Sequence, residues 1–185
     1  MPATITKRRF NVHEYHRMAE AGILTHRDRV QLIDGEVVVM AAVGSRHAAT
    51  VARLTRLFSQ ACEAHIVWVQ NPVRLDEWSE PEPDLGILRP RDDFYASAHP
   101  TPEDALLVIE VSRTTLRLDR EVKLPLYAAA GITECWIVDL EADCVEVYRQ
   151  PGPEGYGRVL RLARGKAISP AALPNVVIRV ADILP

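Results

Sequence analysis

The sequence lacks any apolar run long enough to cross a bilayer, and its opening stretch, MPATITKRRFNVHEYH, carries charge where a signal peptide needs an apolar core. A soluble chain with no membrane partner is therefore expected. Cysteine is scarce: Cys62, Cys135 and Cys144 show no C-x-x-C spacing, and two of them lie inside apolar runs. Buried free thiols in a reducing, cytoplasmic compartment are the economical reading. Positive charge is not in excess. With a net charge of −3 and a pI near 6.1, nucleic-acid binding by bulk charge is excluded, so any phosphate-binding surface must be local. Lysine is rarer still. Of 22 basic residues only Lys7, Lys123 and Lys166 are lysine, so a lysine in mid-chain invites a reason. No internal repeat and no low-complexity tail interrupts the chain. What remains, 185 residues of which 48% are hydrophobic, suits one domain over 1–185 with a core at about 45–140.

The pattern along the chain alternates helix and strand signals. NVHEYHRMAEAGI (11–23) reads as a short amphipathic helix with Asn11 as N-cap and Gly22 at its stop. RVQLIDGEVVVM (29–40) places Asp34-Gly35 between two β-rich runs, a hairpin signature. A long helix follows over 45–64, with Ser45 as candidate N-cap. HIVWVQNPVRLD (65–76) is a strand interrupted near Pro72, and WSEPEPD a proline-stiffened acidic turn into the strand DLGIL. After a loop over about 89–104, LLVIEV reads as a strand covered on both faces, LRLDREVKLPLYAAAG as a helix that Pro125 kinks or confines, and TECWIVDL as another buried strand. CVEVYRQ, YGRVLRLA and NVVIRV complete a meander. The order of elements predicts an α/β (α+β) fold, a central mixed sheet flanked by helices, with an N-terminal helix and hairpin and a C-terminal meander.

Chemistry concentrates where that order breaks its own rules. Glu110 sits inside an apolar strand, where a carboxylate needs a cation beside it. Asp84 begins the preceding strand, and Lys123 follows on the next helix. Two carboxylates on neighbouring strands suit a hard cation such as Mg²⁺, with Mn²⁺ as substitute, which takes oxygen ligands and retains water. An ammonium nearby could orient a nucleophilic water or stabilise developing charge on phosphorus. Each residue also has a plainer reading: Asp84 as a turn residue, Glu110 paired with Arg113, Lys123 solvated beside Asp119, Tyr127 as a core tyrosine. His13 and His16 lack a third ligand in sequence and read as a surface helix face. His47, near the start of the long helix, could meet a phosphate. Arg46, Arg53 and Arg56 could form a basic stripe for nucleic acid, or an ordinary solvated face.

Taken together, RVQLIDGEVVVM with SRHA, EPDLGIL, the string LLVIEVSRTTLRLDREVKLPLYAAAGITECWIVDLE and VEVYR resemble the PD-(D/E)XK nuclease superfamily. They resemble in particular the bacterial "putative restriction endonuclease" family that is numerous in cyanobacteria. The resemblance implies a restriction-endonuclease-like core with Asp84 and Glu110 as metal ligands. It places Ser112 where the superfamily keeps its lysine and Lys123 at the migrated position, with Tyr127 one turn further on. It also implies the Val111 carbonyl as a further ligand, Glu36 as a matching acid after the hairpin glycine, and Glu where this chain has Gln31. The activity implied is Mg²⁺-dependent hydrolysis of DNA by an endonuclease acting as a homodimer. A silent nuclease fold kept as a binding or interaction module is the alternative, and dependence on an unidentified protein partner stays open. No helix-turn-helix or zinc module announces a target sequence.

Overall fold

A computed structural model describes residues 7–185; the first six residues of the stretch read above as lacking a leader lie outside it. The N-terminal helix α1 (Val12–Glu20) starts at a reciprocal capping box, in which the Asn11 side chain accepts from the Glu14 amide while the Glu14 carboxylate accepts from the Asn11 amide. The hairpin pairs β1 (Val30–Ile33) with β2 (Glu36–Val39) through a two-residue turn, Asp34 and Gly35 both at positive φ. Helix α2 (Ser45–Ala61) buries Val51, Leu54 and Phe58, spaced as the sequence pattern predicts. Its N-cap is Gly44 rather than Ser45, and no side chain caps it, because Ser45 already lies within the first turn.

Six strands form the central sheet: β3 (Ile66–Val69), β4 (Leu85–Leu88), β5 (Ala105–Ser112), β6 (Glu134–Asp139), β7 (Cys144–Gly152) and β8 (Gly155–Ala163), hydrogen-bonded in chain order. Only β5 and β6 run parallel, joined by the helical crossover that a parallel pair demands. Every residue of β5 is buried, as its apolar run, interrupted by Glu110 and ending at Ser112, requires. Leu107, Ile109 and Val111 face α2, packing with Leu54, Phe58 and Trp136, while Val108 turns to the other side with Tyr127, Ile132 and Ile137. Glu110 has the same parity as Val108, so the strand's period of two aims it at the crossover helix.

That crossover departs from a plain helix. It consists of α3 (Leu116–Leu118), a wide π turn (Asp119–Lys123) and α4 (Leu124–Ala129), which ends at Ala130 before Gly131 in the left-handed region. Pro125 explains the departure: in a regular α-helix its ring would meet the carbonyl four residues back, and the wide turn, with the Leu124 amide bonded to the Asp119 carbonyl, opens space there. The turn also sets Lys123 at its end. The C-terminal region corrects one expectation. NVVIRV does not join the sheet as a third meander strand; only β10 (Ile178–Arg179) pairs, with β9 (Ala167–Ile168), before a short helix α5 (Val180–Ile183) whose Val180 and Ile183 fill the α2-side core. The three cysteines are buried and free. Among the described residues, no helix is long and apolar enough to cross a membrane.

Candidate active site

The antiparallel register of β4 against β5 brings Asp84 and Glu110 together. Leu85 lies opposite Ile109, so Asp84, one step earlier, falls opposite Glu110, and directly opposed residues project from the same face. Both side chains line a cleft of about 200 Å³ walled by the hairpin, the chain entering α2, the end of β5 and the π turn. Asp84 is held from several sides: its Oδ2 accepts from the Val111 amide at 2.8 Å, His47 Nε2 lies 3.0 Å away, and Gln70 Nε2 is 3.3 Å from Oδ1. One residue on, the Ser112 carbonyl accepts from Leu140 on the β6 side, so Val111 presents its amide and carbonyl toward β4 and Asp84.

Glu110 is 3% exposed and its partner is Lys123, 4% exposed, with Nζ 3.0 Å from Oε1. The Tyr127 hydroxyl donates to the same oxygen at 2.6 Å, so the tyrosine belongs to the site as well as to the core. Lys123 also donates to the Glu82 carbonyl. The plainer pairing of Glu110 with Arg113 is overturned, because Arg113, at the cleft, donates to Glu141 instead. The solvated pairing of Lys123 with Asp119 is overturned too. Asp119 instead accepts from the Ser112 and Thr115 hydroxyls at 2.7 Å each, so the serine at the superfamily's lysine position serves to fix a third buried acid.

Five charged groups in so little water, Asp84, Glu110, Asp119, Glu82 and Lys123, perturb one another. Burial pushes the Glu110 carboxyl up to about 8, with Lys123 opposing and Asp119 and Asp84 adding to the rise. Burial pulls Lys123 down, but the Glu110 and Asp119 carboxylates outweigh it and its ammonium keeps its proton above the ordinary lysine range. Asp119 and Glu82 are likewise raised by burial against the pull of Lys123. Burial and Glu110 carry the Tyr127 hydroxyl far above its usual value.

Other residues singled out in the sequence are distributed unevenly. Gln31 is 2% exposed on the cleft wall, its Oε1 accepting from the Glu82 amide at 3.1 Å. Arg46 lines the cleft mouth. Arg53 donates to the Leu184 carbonyl, and Arg56 lies exposed further along α2. Glu36 is not brought to the cleft; it is exposed on the hairpin and ion-paired with Lys7. Asp119, Glu82, Gln70 and Arg29 also line the cleft, and sequence reasoning did not select them for the site. Asp119 was the one with a signal, four residues before Lys123 on the same helix and therefore on its face.

The family model described as "Uma2: Putative restriction endonuclease" matches residues 12–181. No curated protein matches the chain. Among solved structures, a crystal structure of "a putative nuclease belonging to DUF820" from Anabaena variabilis is similar, with a TM-score of 0.72 at 11% identity over 94% of this chain and 97% of that one. At that identity the likeness speaks for the fold, a six-stranded mixed sheet flanked by helices in a nuclease arrangement. With a family match over nearly its whole length and this architecture beneath it, the chain belongs to the Uma2 family of restriction-endonuclease-like proteins, in keeping with the PD-(D/E)XK superfamily.

Proposed function

We propose that the protein is a Mg²⁺-dependent endonuclease that hydrolyses phosphodiester bonds of DNA. The observation that carries this reading is the meeting of Asp84, just before β4, Glu110 on β5 and Lys123 on the π turn, on the walls of one cleft. The donor set fits a hard divalent cation. Asp84 offers a carboxylate oriented by an amide and an imidazole, Val111 has its carbonyl on that side, and Glu110 has Oε2 without a hydrogen-bond partner among the described residues while Oε1 takes two donors. Asp84, Glu110 and the Val111 carbonyl are the proposed ligands. When bound there, Mg²⁺ polarises a phosphoryl oxygen and makes a bound water more acidic.

The chain's own residues do the rest. Lys123, anchored by Glu110 and the Glu82 carbonyl, orients the attacking water and stabilises negative charge gathering on the phosphoryl oxygens. Tyr127 keeps Glu110 in place, and the hydroxyls of Ser112 and Thr115 keep Asp119 beside the lysine. Arg29, Arg46 and Arg113 at the cleft provide the local positive surface that the acidic chain as a whole does not. Cutting both strands of a duplex is simplest with two copies related by a two-fold axis, so a homodimer belongs to this proposal.

The test is cleavage of plasmid, single-stranded DNA and RNA with Mg²⁺ or Mn²⁺. Asp84→Ala, Glu110→Gln and Lys123→Ala are each expected to abolish metal-dependent DNA cleavage while remaining folded; equal activity in wild type and Asp84→Ala would refute the assignment. One observation favours a second reading, a silent fold kept for binding: Gln31 occupies the wall where the family resemblance leads one to expect Glu. Calorimetric titration with Mg²⁺ separates the two, since a silent module has no need of a saturable cation site.

A further inference from the structure

His16 on α1 has the partners its sequence surroundings did not reveal, which corrects the reading of a bare surface face. Its Nε2 lies 2.7 Å from Glu80 Oε1, and its ring stands edge-on to His99, centroids 5.8 Å apart. One ligating atom from each of His16, Glu80 and His99 falls within 4.8 Å of the others. The three come from a helix, a residue bridged to the hairpin at Leu32, and the loop before β5. They face a cavity on a different part of the surface from the cleft.

A second observation points to a ligand. Glu80 is 2% exposed, and its Oε2 is buried without any hydrogen-bond partner among the described residues. An ionised carboxylate oxygen left so is costly unless a cation meets it. Arg74 lines the same cavity, but its Nε is directed to the Asp76 carbonyl. The comparison with Asp139, Cys144 and Glu146, which also converge within 4.8 Å, is instructive. There the Arg120 guanidinium donates to both Glu146 oxygens and to Asp139, and Arg161 donates to the Cys144 sulfur, so protein cations already fill that place. At Glu80 no side chain of the described residues donates to Oε2.

We propose that His16, Glu80 and His99 bind a first-row divalent transition ion of the Zn²⁺ class. Two imidazoles and one carboxylate are a donor set such ions favour and Mg²⁺ does not, and three protein ligands leave a coordination position for water. The ion clips α1 and the 89–104 loop to the hairpin side of the fold, and it binds independently of the carboxylate cleft.

The experiment titrates the full chain, stripped with EDTA and dialysed, with Co²⁺ followed by its visible absorption, then displaces Co²⁺ with Zn²⁺, all with Mg²⁺ present. One equivalent should bind to wild type and to Asp84→Ala, with a rise in thermal midpoint. His99→Ala and His16→Ala should weaken Zn²⁺ binding by more than about tenfold, the loss that removing even an outer partner of a metal ligand produces. Both histidines are partly exposed; the metal-free unfolding midpoint of His99→Ala, measured alongside, is expected to match wild type, while that of His16→Ala is expected to fall because Glu80 Oε1 loses its partner. Absence of saturable binding to wild type, binding unchanged in both histidine variants, or binding lost in Asp84→Ala would each overturn the site; the last would place the ion in the cleft instead.

Discussion

Replacing Glu110 by Gln keeps the side chain's shape and removes its ionisation, which leaves a measurable trace in the metal-free protein. Burial raises this carboxyl from 4.5 to about 8 in the folded chain, Lys123 opposing. Unfolding returns it to its ordinary value. Between those limits the unfolded chain releases a proton that the folded chain retains. Glu110's contribution to stability is therefore fully present below pH 4.5 and is lost as pH rises toward 8. The slope is about 1.4 kcal/mol per pH unit and the total about 5 kcal/mol. In wild type Lys123, whose proton is held more tightly when folded, acts only above its ordinary value and leaves this window alone. Asp119 and Glu82, also raised by burial, are present in both proteins and cancel to first order in the comparison. Urea unfolding of wild type and Glu110→Gln in EDTA, at intervals from pH 5 to pH 8, should show wild type losing stability relative to the variant at close to that slope. Saturating Mg²⁺ should flatten the wild-type curve, because a carboxylate must shed its proton to ligate. Parallel curves in EDTA would refute the reasoning: the ion pair with Lys123 would then have outweighed burial, leaving Glu110 ionised throughout.

Tyr127→Phe removes a donor that favours the ionised form of Glu110, so Mg²⁺ affinity at pH 7 should fall about tenfold, corresponding to one charge-assisted hydrogen bond, as read by calorimetry. Asp119→Asn alters the acid beside Lys123 without touching a proposed ligand; cleavage turnover should drop while Mg²⁺ affinity holds within about threefold, less than a single hydrogen bond's worth. Gln31→Glu adds a carboxylate to the cleft wall and should tighten Mg²⁺ binding, and an unchanged affinity would remove the hairpin from the cation's surroundings. Gly35→Ala forces a side chain into a left-handed turn, with its Cβ 2.7 Å from Arg9 Cβ, and should lower stability by about 2 kcal/mol in urea.

The sheet was legible because its residues obey the period of their elements. The largely apolar run of β5, the Asp34-Gly35 turn and the apolar stripe of α2 each leave one solution that buries them. Glu110 was legible for the opposite reason: it breaks its strand's pattern, and a broken pattern needs a partner. Proximity that arises from tertiary packing was not legible. Nothing local links His16 to residues 64 and 83 positions away, and nothing in ITECW or VYRQ announces that Arg149 donates to Glu134 in the core. The π turn was half legible, since Pro125 predicted a disturbance but not whether the chain would bend or widen.

That widening bears on the chemistry. A lysine two residues after Glu110 would stand on the same strand face, fixed by the pleat; here that place belongs to Ser112, and the ammonium arrives from the crossover helix. A helix can deliver it only if the chain rotates Lys123 toward β5 while Tyr127, one turn later, still reaches the same carboxylate oxygen. The π turn ends at Lys123, and Tyr127 follows in regular α-helix, so the two donors converge on Oε1 and leave Oε2 without a partner among the described residues. Pro125 is what makes the wide turn favourable, by penalising the narrow one. The residue that looked like a helix breaker in the sequence is thus part of how the lysine reaches the acid, and the free carboxylate oxygen is what a cation would use.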